Sequence, residues 1–194
     1  MMARPIVLTG GPGGGKTSFL QTMRHTDPHA ERYLLVPESA TLLIEAGLKP
    51  GSEAFQEAVF RTQIALEQSC CAMQRDPQRI ICDRGTLDSL AYWKLLGSSE
   101  QAFYIQTGMS LKEHLSRYQA VIHLQSTAIG AAGHYVQSET GRKESVEEAA
   151  RIDRVCGEVW SQHPRYFLVP NGPGGWRDKL LAARDIIGAL VQVA

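Results

Sequence analysis

Residues 10–17 carry the strongest chemical signal in the chain. They read Gly-Gly-Pro-Gly-Gly-Gly-Lys-Thr and match the phosphate-binding pattern G-x-x-x-x-G-K-[ST]. In such a loop the glycines let successive backbone N–H groups point at one anion, the Lys16 ammonium reaches the β- and γ-phosphates, and the Thr17 hydroxyl is placed to bind Mg²⁺. The pattern therefore predicts a polyphosphate site. The residues predicted to hold the nucleotide are Gly11, Gly13, Gly14, Gly15, Lys16, Thr17 and Ser18.

The alternative to a phosphate site is a glycine-rich turn that contains a lysine by chance. The segments on either side of the loop distinguish the two. An apolar run at 5–9 precedes the loop and is typical of a buried parallel strand, while 17–25 is typical of a helix. The positive end of that helix dipole adds to the attraction for an anion. The order of strand, loop and helix favours the phosphate site.

Asp83 and Arg84 directly follow the apolar run at 79–82, which is the third predicted strand. An acid at the end of such a strand is the Walker B arrangement, which holds Mg²⁺ next to the loop lysine. The alternative for Asp83 is a cap on the helix that starts near Thr86. The planar guanidinium of Arg84 suits a phosphate or an acceptor hydroxyl, and its alternative is a surface salt bridge. We predict catalytic roles for both residues, with Thr17 and Asp83 as the metal ligands.

Glu38 follows the apolar run at 33–36. If the third strand lies beside the first, this carboxylate faces the γ-phosphate across the cleft and can take the proton of an attacking hydroxyl. The alternative is a solvent-exposed acid favoured by the dipole at the start of a helix. Glu45 is a weaker candidate for the same role.

Strand-like and helix-like segments alternate along the chain, which predicts an α/β/α P-loop NTPase-type fold around a five-stranded parallel sheet. Ligands collect at the carboxyl ends of such strands. The predicted strands are 5–9, 33–36, 79–82, 120–124 and 166–169. The predicted helices are 17–25, 39–47, 52–75, 86–96, 110–117, 145–162 and 176–192, with 39–47 and 52–75 as the walls of an acceptor pocket.

Length and composition are typical of one globular domain, 1–194. Hydrophobic residues make up 43% of the 194 positions, and 20 Lys and Arg balance 20 Asp and Glu. This balance gives no broad attraction to nucleic acid or to an anionic membrane. We expect neither partner, and we expect a cytoplasmic protein because no signal-peptide or membrane-spanning pattern is present. The four cysteines show no metal-site spacing and suit a reduced protein.

Two glycine-containing segments carry further predictions. The polar segment 126–144 ends near Arg142 and Lys143 and is either a lid over the nucleotide or a disordered surface loop. The segment 169–175, with Asn171 and Gly172, either frames the adenine with its backbone or is an ordinary connection. ATP is favoured over GTP because no Asn-Lys-x-Asp string follows a late strand.

Four strings resemble the predicted-ATPase family grouped with the kinase domain of NadR, and the resemblance spans nearly the whole chain. They are Val-Leu-Thr-Gly-Gly-Pro-Gly-Gly-Gly-Lys-Thr at 7–17, Val-Pro-Glu-Ser-Ala at 36–40, Cys-Asp-Arg-Gly-Thr-Leu-Asp-Ser-Leu-Ala-Tyr at 82–92, and Arg-Lys-Glu-Ser-Val-Glu-Glu-Ala at 142–149. The Asp-Arg string is also similar to those of thymidylate and deoxynucleoside kinases. The resemblance implies a nucleoside or nucleotide kinase-like fold, Mg²⁺ with ATP, a lid arginine at Arg142, and an acceptor-side carboxylate at Glu38. Members are often labelled AAA-like, yet the chain has no room for the helical lid domain of an AAA+ motor.

Three functions follow from these features. The first is a kinase that transfers the γ-phosphoryl group of ATP to a small, nucleoside-like metabolite, with Lys16 and Arg142 neutralising the charge on the transferred group. The second is a switch or adaptor that hydrolyses ATP or GTP without a small-molecule acceptor. The third, a binding module with a degenerate site, is disfavoured by the intact Lys16, Thr17 and Asp83. Neither the acceptor nor the oligomeric state is predicted.

Overall fold

A five-stranded parallel sheet forms the centre of the molecule in the computed structural model, which describes residues 4–135 and 144–192. The strands are β1 (Ile6–Thr9), β2 (Tyr33–Val36), β3 (Arg79–Asp83), β4 (Ala120–Leu124) and β5 (Tyr166–Val169). Each lies within one residue of its predicted position. The P-loop NTPase-type fold is thereby confirmed.

The strand order is β2-β3-β1-β4-β5, so the third strand lies beside the first. In that pairing Leu8 of β1 is opposite Asp83 of β3, while Val36 at the end of β2 is opposite Cys82. Because all the strands are parallel, their carboxyl ends share one edge of the sheet. The loop at 10–15, Glu38 and Asp83 therefore all follow strands at this edge.

Helices cover both faces of the sheet. The α-helices of the described residues are α1 (Lys16–His25), α2 (Ser39–Glu45), α3 (Glu53–Met73), α4 (Thr86–Leu95), α5 (Glu100–Thr107), α6 (Leu111–Ser116), α7 (Val146–Trp160) and α8 (Trp176–Gln192). Short 3₁₀ turns occupy Ala30–Arg32 and Ala132–His134. The predicted helices are confirmed, with ends that differ by no more than two residues.

The side chains of successive β1 residues pack into two separate hydrophobic cores, because side chains point alternately to the two faces of a strand. Ile6 and Leu8 pack with Phe19 of α1 and with α8 on one face. Val7 packs with Trp160 of α7 and with α4 on the other face. All of these side chains are fully buried. The strand that leads into the phosphate-binding pattern is thus fixed from both sides.

Helix α5 has no counterpart in the sequence predictions. Ser99 caps its start by accepting a hydrogen bond of 3.0 Å from the Ala102 N–H, and Gly108 ends it in the left-handed region at φ 67°. Its one fully buried side chain is Phe103, which packs edge-on against Trp93 and Phe60. One buried residue in eight gives too weak a periodicity to indicate a helix.

Of the predicted lid at 126–144, residues 136–143, including Arg142 and Lys143, lie outside the described residues. Across the described ranges, no helix is both long enough and apolar enough to cross a bilayer.

Candidate nucleotide site and its cleft

The loop at 10–15 turns directly into α1, whose first residue is Lys16. The Lys16 side chain is buried, and its Nζ donates hydrogen bonds to the backbone oxygens of Gly10 (2.7 Å) and Gly11 (3.1 Å). Burial lowers the pKa of this ammonium, and the neighbouring Arg84 cation lowers it further. The loop therefore holds a cation that is only weakly solvated, and anionic oxygens are better acceptors for it than backbone carbonyls.

A cleft of about 690 Å³ opens beside the loop. Six of the predicted nucleotide-binding residues line it: Gly13, Gly14, Gly15, Lys16, Thr17 and Ser18. Another cavity, of about 430 Å³, lies near Arg4, Gln119 and Arg165, where β1, β4 and β5 begin. The cleft at the carboxyl ends of the strands is the one next to the phosphate-binding pattern.

Two features require a glycine at position 15: its backbone conformation and the close approach of Trp176. Its φ of 91° lies in the left-handed region, and a Cβ there would collide with the Trp176 ring. The indole of Trp176, 39% exposed, thus lies directly against the loop. The sequence predictions placed Trp176 at the start of a helix and gave it no role.

Gly11 is the predicted nucleotide-binding residue of the loop that does not line the cleft, and its N–H is bonded to another helix. It donates a 2.7 Å hydrogen bond to Oδ1 of Asp153 on α7, which also accepts one of 2.9 Å from the Ser126 N–H. His123 Nε2 lies 3.1 Å from the same oxygen. Burial raises the pKa of Asp153, but His123 and the two N–H groups outweigh burial and hold the pKa below its usual value. Asp153 therefore positions the loop as an ionised acceptor.

Asp83 is buried at the end of β3, and its Oδ1 has no hydrogen-bond partner among the described residues. Burial raises the pKa of this carboxyl to about 6, against the opposing pull of the Lys16 cation. A buried carboxylate oxygen without a partner is costly unless a cation binds it. Thr17, an exposed residue, lines the cleft, whereas Asp83 is not among its lining residues. A carboxylate and a hydroxyl are oxygen donors of the kind that suits Mg²⁺.

The alternative role for Asp83, a helix cap, is wrong. The residue before α4 is Gly85, and its N–H donates a 2.9 Å hydrogen bond to Oδ2 of Asp88. Asp88 also accepts from the Thr9 hydroxyl (2.8 Å) and from the Trp160 indole (3.0 Å). Asp88, which the sequence predictions gave no role, thus ties α4 to β1 and α7.

Arg84 is buried at the bottom of the cleft, so the surface salt bridge suggested as its alternative is wrong. Its guanidinium donates to Glu38 Oε1 (2.5 Å), to Asp88 Oδ1 (2.9 Å) and to the Tyr92 hydroxyl (3.3 Å). The backbone of Arg84 has a φ of 72°, which is uncommon outside glycine. Its contacts hold this residue in place, and it bridges two carboxylates.

Glu38 lies at the start of α2, where its carboxylate contacts side chains instead of capping the helix. Besides Arg84, it accepts a 2.7 Å hydrogen bond from the Thr41 hydroxyl. Burial raises its pKa, but the Arg84 and Lys16 cations outweigh burial and lower the pKa to about 2. Such a carboxylate stays ionised, which favours orienting a hydroxyl over carrying its proton. Glu45 lies exposed at the other end of α2 and does not line the cleft.

A family model described as an AAA domain, AAA_28, matches residues 5–179. The chain belongs to the AAA_28 family. The match and the parallel sheet together make this AAA_28 protein a P-loop nucleotide-binding protein of the NTPase class, whose members generally bind nucleotide with Mg²⁺. A comparison with curated proteins found no match.

Asn171 and Gly172 of the AAA_28 protein do not line the cleft. The Asn171 amide donates to the backbone oxygens of Ser126 (2.8 Å) and Ile129 (2.7 Å), and its oxygen accepts from Lys179 (2.6 Å). These bonds join the loops after β4 and β5. A role for Asn171 and Gly172 in framing adenine stays a prediction, as does the role of Arg142.

The far side of the cleft is formed by α2 and α3, the predicted walls, and by α4. Phe55, Gln56 and Val59 of α3 face it, and Ser89 and Tyr92 of α4 do so from the other side. These residues are far along the chain from the phosphate-binding pattern and belong to no sequence motif. Only the fold shows that they line the same cleft.

Proposed function

We propose that this AAA_28 protein is a kinase that uses Mg²⁺ and ATP to phosphorylate a hydroxyl group of a small, nucleoside-like metabolite. The observation that carries the proposal is the shared cleft. Lys16 at the phosphate loop and the ionised Glu38 line the same 690 Å³ space, and helices α2, α3 and α4 enclose its other side. That volume is within the range of small-molecule sites, about 300–1,000 Å³. A simple hydrolytic switch needs no second wall of this kind.

Lys16 and the loop N–H groups would bind the β- and γ-phosphates. The Lys16 ammonium already lies against the loop, so it needs only to exchange the oxygens of Gly10 and Gly11 for phosphate oxygens. Asp83 and Thr17 would hold Mg²⁺, which supplies charge neutralisation between the phosphate groups when bound. A cation that is already positioned and poorly solvated stabilises developing negative charge effectively.

Glu38 would orient the acceptor hydroxyl toward the γ-phosphate. Arg84 and Thr41 fix both oxygens of its carboxylate, so the group has little freedom to turn. Orientation of this kind contributes to rate because it removes the entropy loss of aligning two reactants.

The substitution Glu38→Gln tests this assignment. In the presence of a pool of nucleosides and vitamin precursors, we expect the wild-type protein to turn over ATP faster than with water alone. Glu38→Gln should lower this acceptor-dependent turnover about 10²-fold, because the carboxylate that orients the hydroxyl is lost, while the Kd for ATP stays the same. Labelled ATP measures the turnover, and calorimetry measures the Kd.

Glu45→Gln is the matched control, since it makes the same change at an exposed position of the same helix. Turnover that no member of the pool stimulates would contradict the kinase. Loss of water-only hydrolysis in Glu38→Gln would instead place Glu38 on the γ-phosphate side, as in a hydrolytic switch.

A further inference from the structure

We propose that the 430 Å³ cavity at the amino ends of the strands binds a small organic anion. The oxyanion group of this ligand lies between Arg4 and Arg165, and its apolar part lies against Leu111 and Leu115. The cavity is at the edge of the sheet opposite the nucleotide cleft, so the proposal does not depend on the kinase function.

The first observation is the positive charge around the cavity. Three of its lining residues are cations, Arg4, Lys112 and Arg165, in a chain whose basic and acidic residues balance at 20 each. All three are exposed, so a ligand from solvent can reach them. Among the described residues that line the cavity none is acidic, and residues 1–3, which precede Arg4, carry no acidic side chain. Cations gathered in this way produce a local positive potential that attracts an anion.

The second observation is that the charges of Arg4 and Arg165 act on the same buried ring. His163 lines the cavity at 5% exposure, with Nε2 3.2 Å from the Tyr118 backbone oxygen and Nδ1 accepting a 3.1 Å hydrogen bond from the Arg165 N–H. Because that oxygen can only accept and that N–H can only donate, the imidazole is neutral and carries its proton on Nε2. Burial lowers the pKa of His163, and the Arg4 and Arg165 cations lower it further, against its backbone hydrogen bonds. An anion beside this ring would therefore interact with both guanidinium groups.

Both arginines are held in position by contacts between distant parts of the chain. Arg4 Nη1 donates a 2.9 Å hydrogen bond to the backbone oxygen of Ser116, which uses one of the five N–H groups of the guanidinium. The backbone of Arg165 is fixed on both sides, by the bond of its N–H to His163 and by a 3.0 Å bond from the Val121 N–H to its oxygen. A positioned backbone lowers the entropy that is lost on binding.

The walls of the cavity indicate the rest of the ligand. Leu111 and Leu115, one turn apart on α6, line it together with Pro164. Such walls favour a hydrocarbon group, while a guanidinium matches the oxygens of a carboxylate or a phosphate. The volume is within the range of small-molecule sites, about 300–1,000 Å³. The ligand class is therefore a carboxylate or phosphate ester with one compact apolar group.

Matched probes test the two parts of this ligand separately. Phenylacetate, acetate and phenylacetamide form one series, and phenyl phosphate, inorganic phosphate and phenol form the other. Each would be titrated into the isotope-labelled full chain, with the amide chemical shifts of Leu115, Gln119 and Arg165 as the measure of Kd. We expect phenylacetate or phenyl phosphate to bind about tenfold or more tightly than both the other members of its series. The series that meets this expectation identifies the oxyanion.

The double variant Arg4→Gln, Arg165→Gln should weaken the tighter probe by about tenfold or more, because the charged donors are lost. The matched control is Arg154→Gln, at an exposed arginine of α7 that lines neither cavity, and it should leave the Kd unchanged. If the double variant does not fold, the two single variants replace it.

Three results would overturn the proposal. They are the absence of amide shifts with every anion, neutral probes that bind as tightly as the anions, and a Kd that is insensitive to both arginines. Saturating Mg²⁺ and ATP should leave the probe bound, because the nucleotide cleft lies at the other edge of the sheet. A probe that is displaced by Mg²⁺ and ATP would instead belong to the nucleotide cleft and would equally refute this site.

Discussion

Asp83 is a buried acid whose surroundings favour a bound cation. Its buried oxygen without a hydrogen bond and its raised pKa both follow from a carboxylate placed where only a cation would stabilise it. A neutral side chain of the same shape should not lower the free energy of unfolding of the nucleotide-free protein. In the proposed kinase, Asp83 serves metal binding at some cost to stability, as residues of functional sites commonly do.

We expect Asp83→Asn to separate metal binding from stability. The free energy of unfolding of the nucleotide-free protein should be unchanged or higher, because a costly buried charge is removed. The Mg²⁺-dependent gain in ATP affinity should fall, because the carboxylate that would hold the metal is lost. Urea unfolding and ATP titrations with and without Mg²⁺ measure the two effects. A less stable variant with the full Mg²⁺ effect would show that Asp83 has a structural role.

At the residue scale, the candidate residues that can be selected from the sequence are those in contiguous patterns. Lys16 and Thr17 lie in one motif, and Asp83 and Glu38 each follow a recognisable strand, so their meeting at one edge of the sheet follows from the strand order. Asp88 and Asp153 follow no such pattern in the sequence. Their roles depend on contacts with residues such as Gly11, 142 positions away from Asp153 along the chain.

At the scale of elements, α5 shows what a periodicity argument misses. The five strands were predictable because each is a short apolar run flanked by loops, the pattern of strands in a parallel sheet that is covered by helices. Helix α5 buries one side chain, Phe103, and exposes Ile105 to 72%, so its apolar residues do not mark one face. Ser99 before the helix and Gly108 after it are the sequence features from which it could have been predicted.

Phe103 should anchor α5 and the helices around it. The ring is fully buried and contacts Phe60, Trp93 and His114. We expect Phe103→Ala to lower the free energy of unfolding by about 3–5 kcal/mol. Ile105→Ala on the exposed side of the same helix should change it by less than about 0.5 kcal/mol. Equal effects of the two substitutions in urea unfolding would show that α5 does not depend on its buried ring.

At the scale of the whole molecule, nucleotide binding should be visible as stability. A ligand at 100 times its Kd stabilises the native state by about 2.7 kcal/mol, and each kcal/mol raises the Tm of a chain of this size by about 2–4 °C. We therefore expect saturating Mg²⁺ and ATP to raise the Tm by about 5–10 °C. Lys16→Ala should remove most of this shift, while Lys112→Ala, an exposed control, should keep it. A full shift in Lys16→Ala would place the nucleotide elsewhere.

The hydrogen bond between Asp153 and the Gly11 N–H couples the stability of α7 to nucleotide binding at the phosphate loop. If the position of α7 changes the affinity of the loop for nucleotide, then nucleotide must change the stability of α7 by the same factor, because linkage is reciprocal. Amide protons in the middle of α7 would then exchange more slowly with solvent when the loop is occupied. A helix that does not line the cleft would in this way report whether the nucleotide is present.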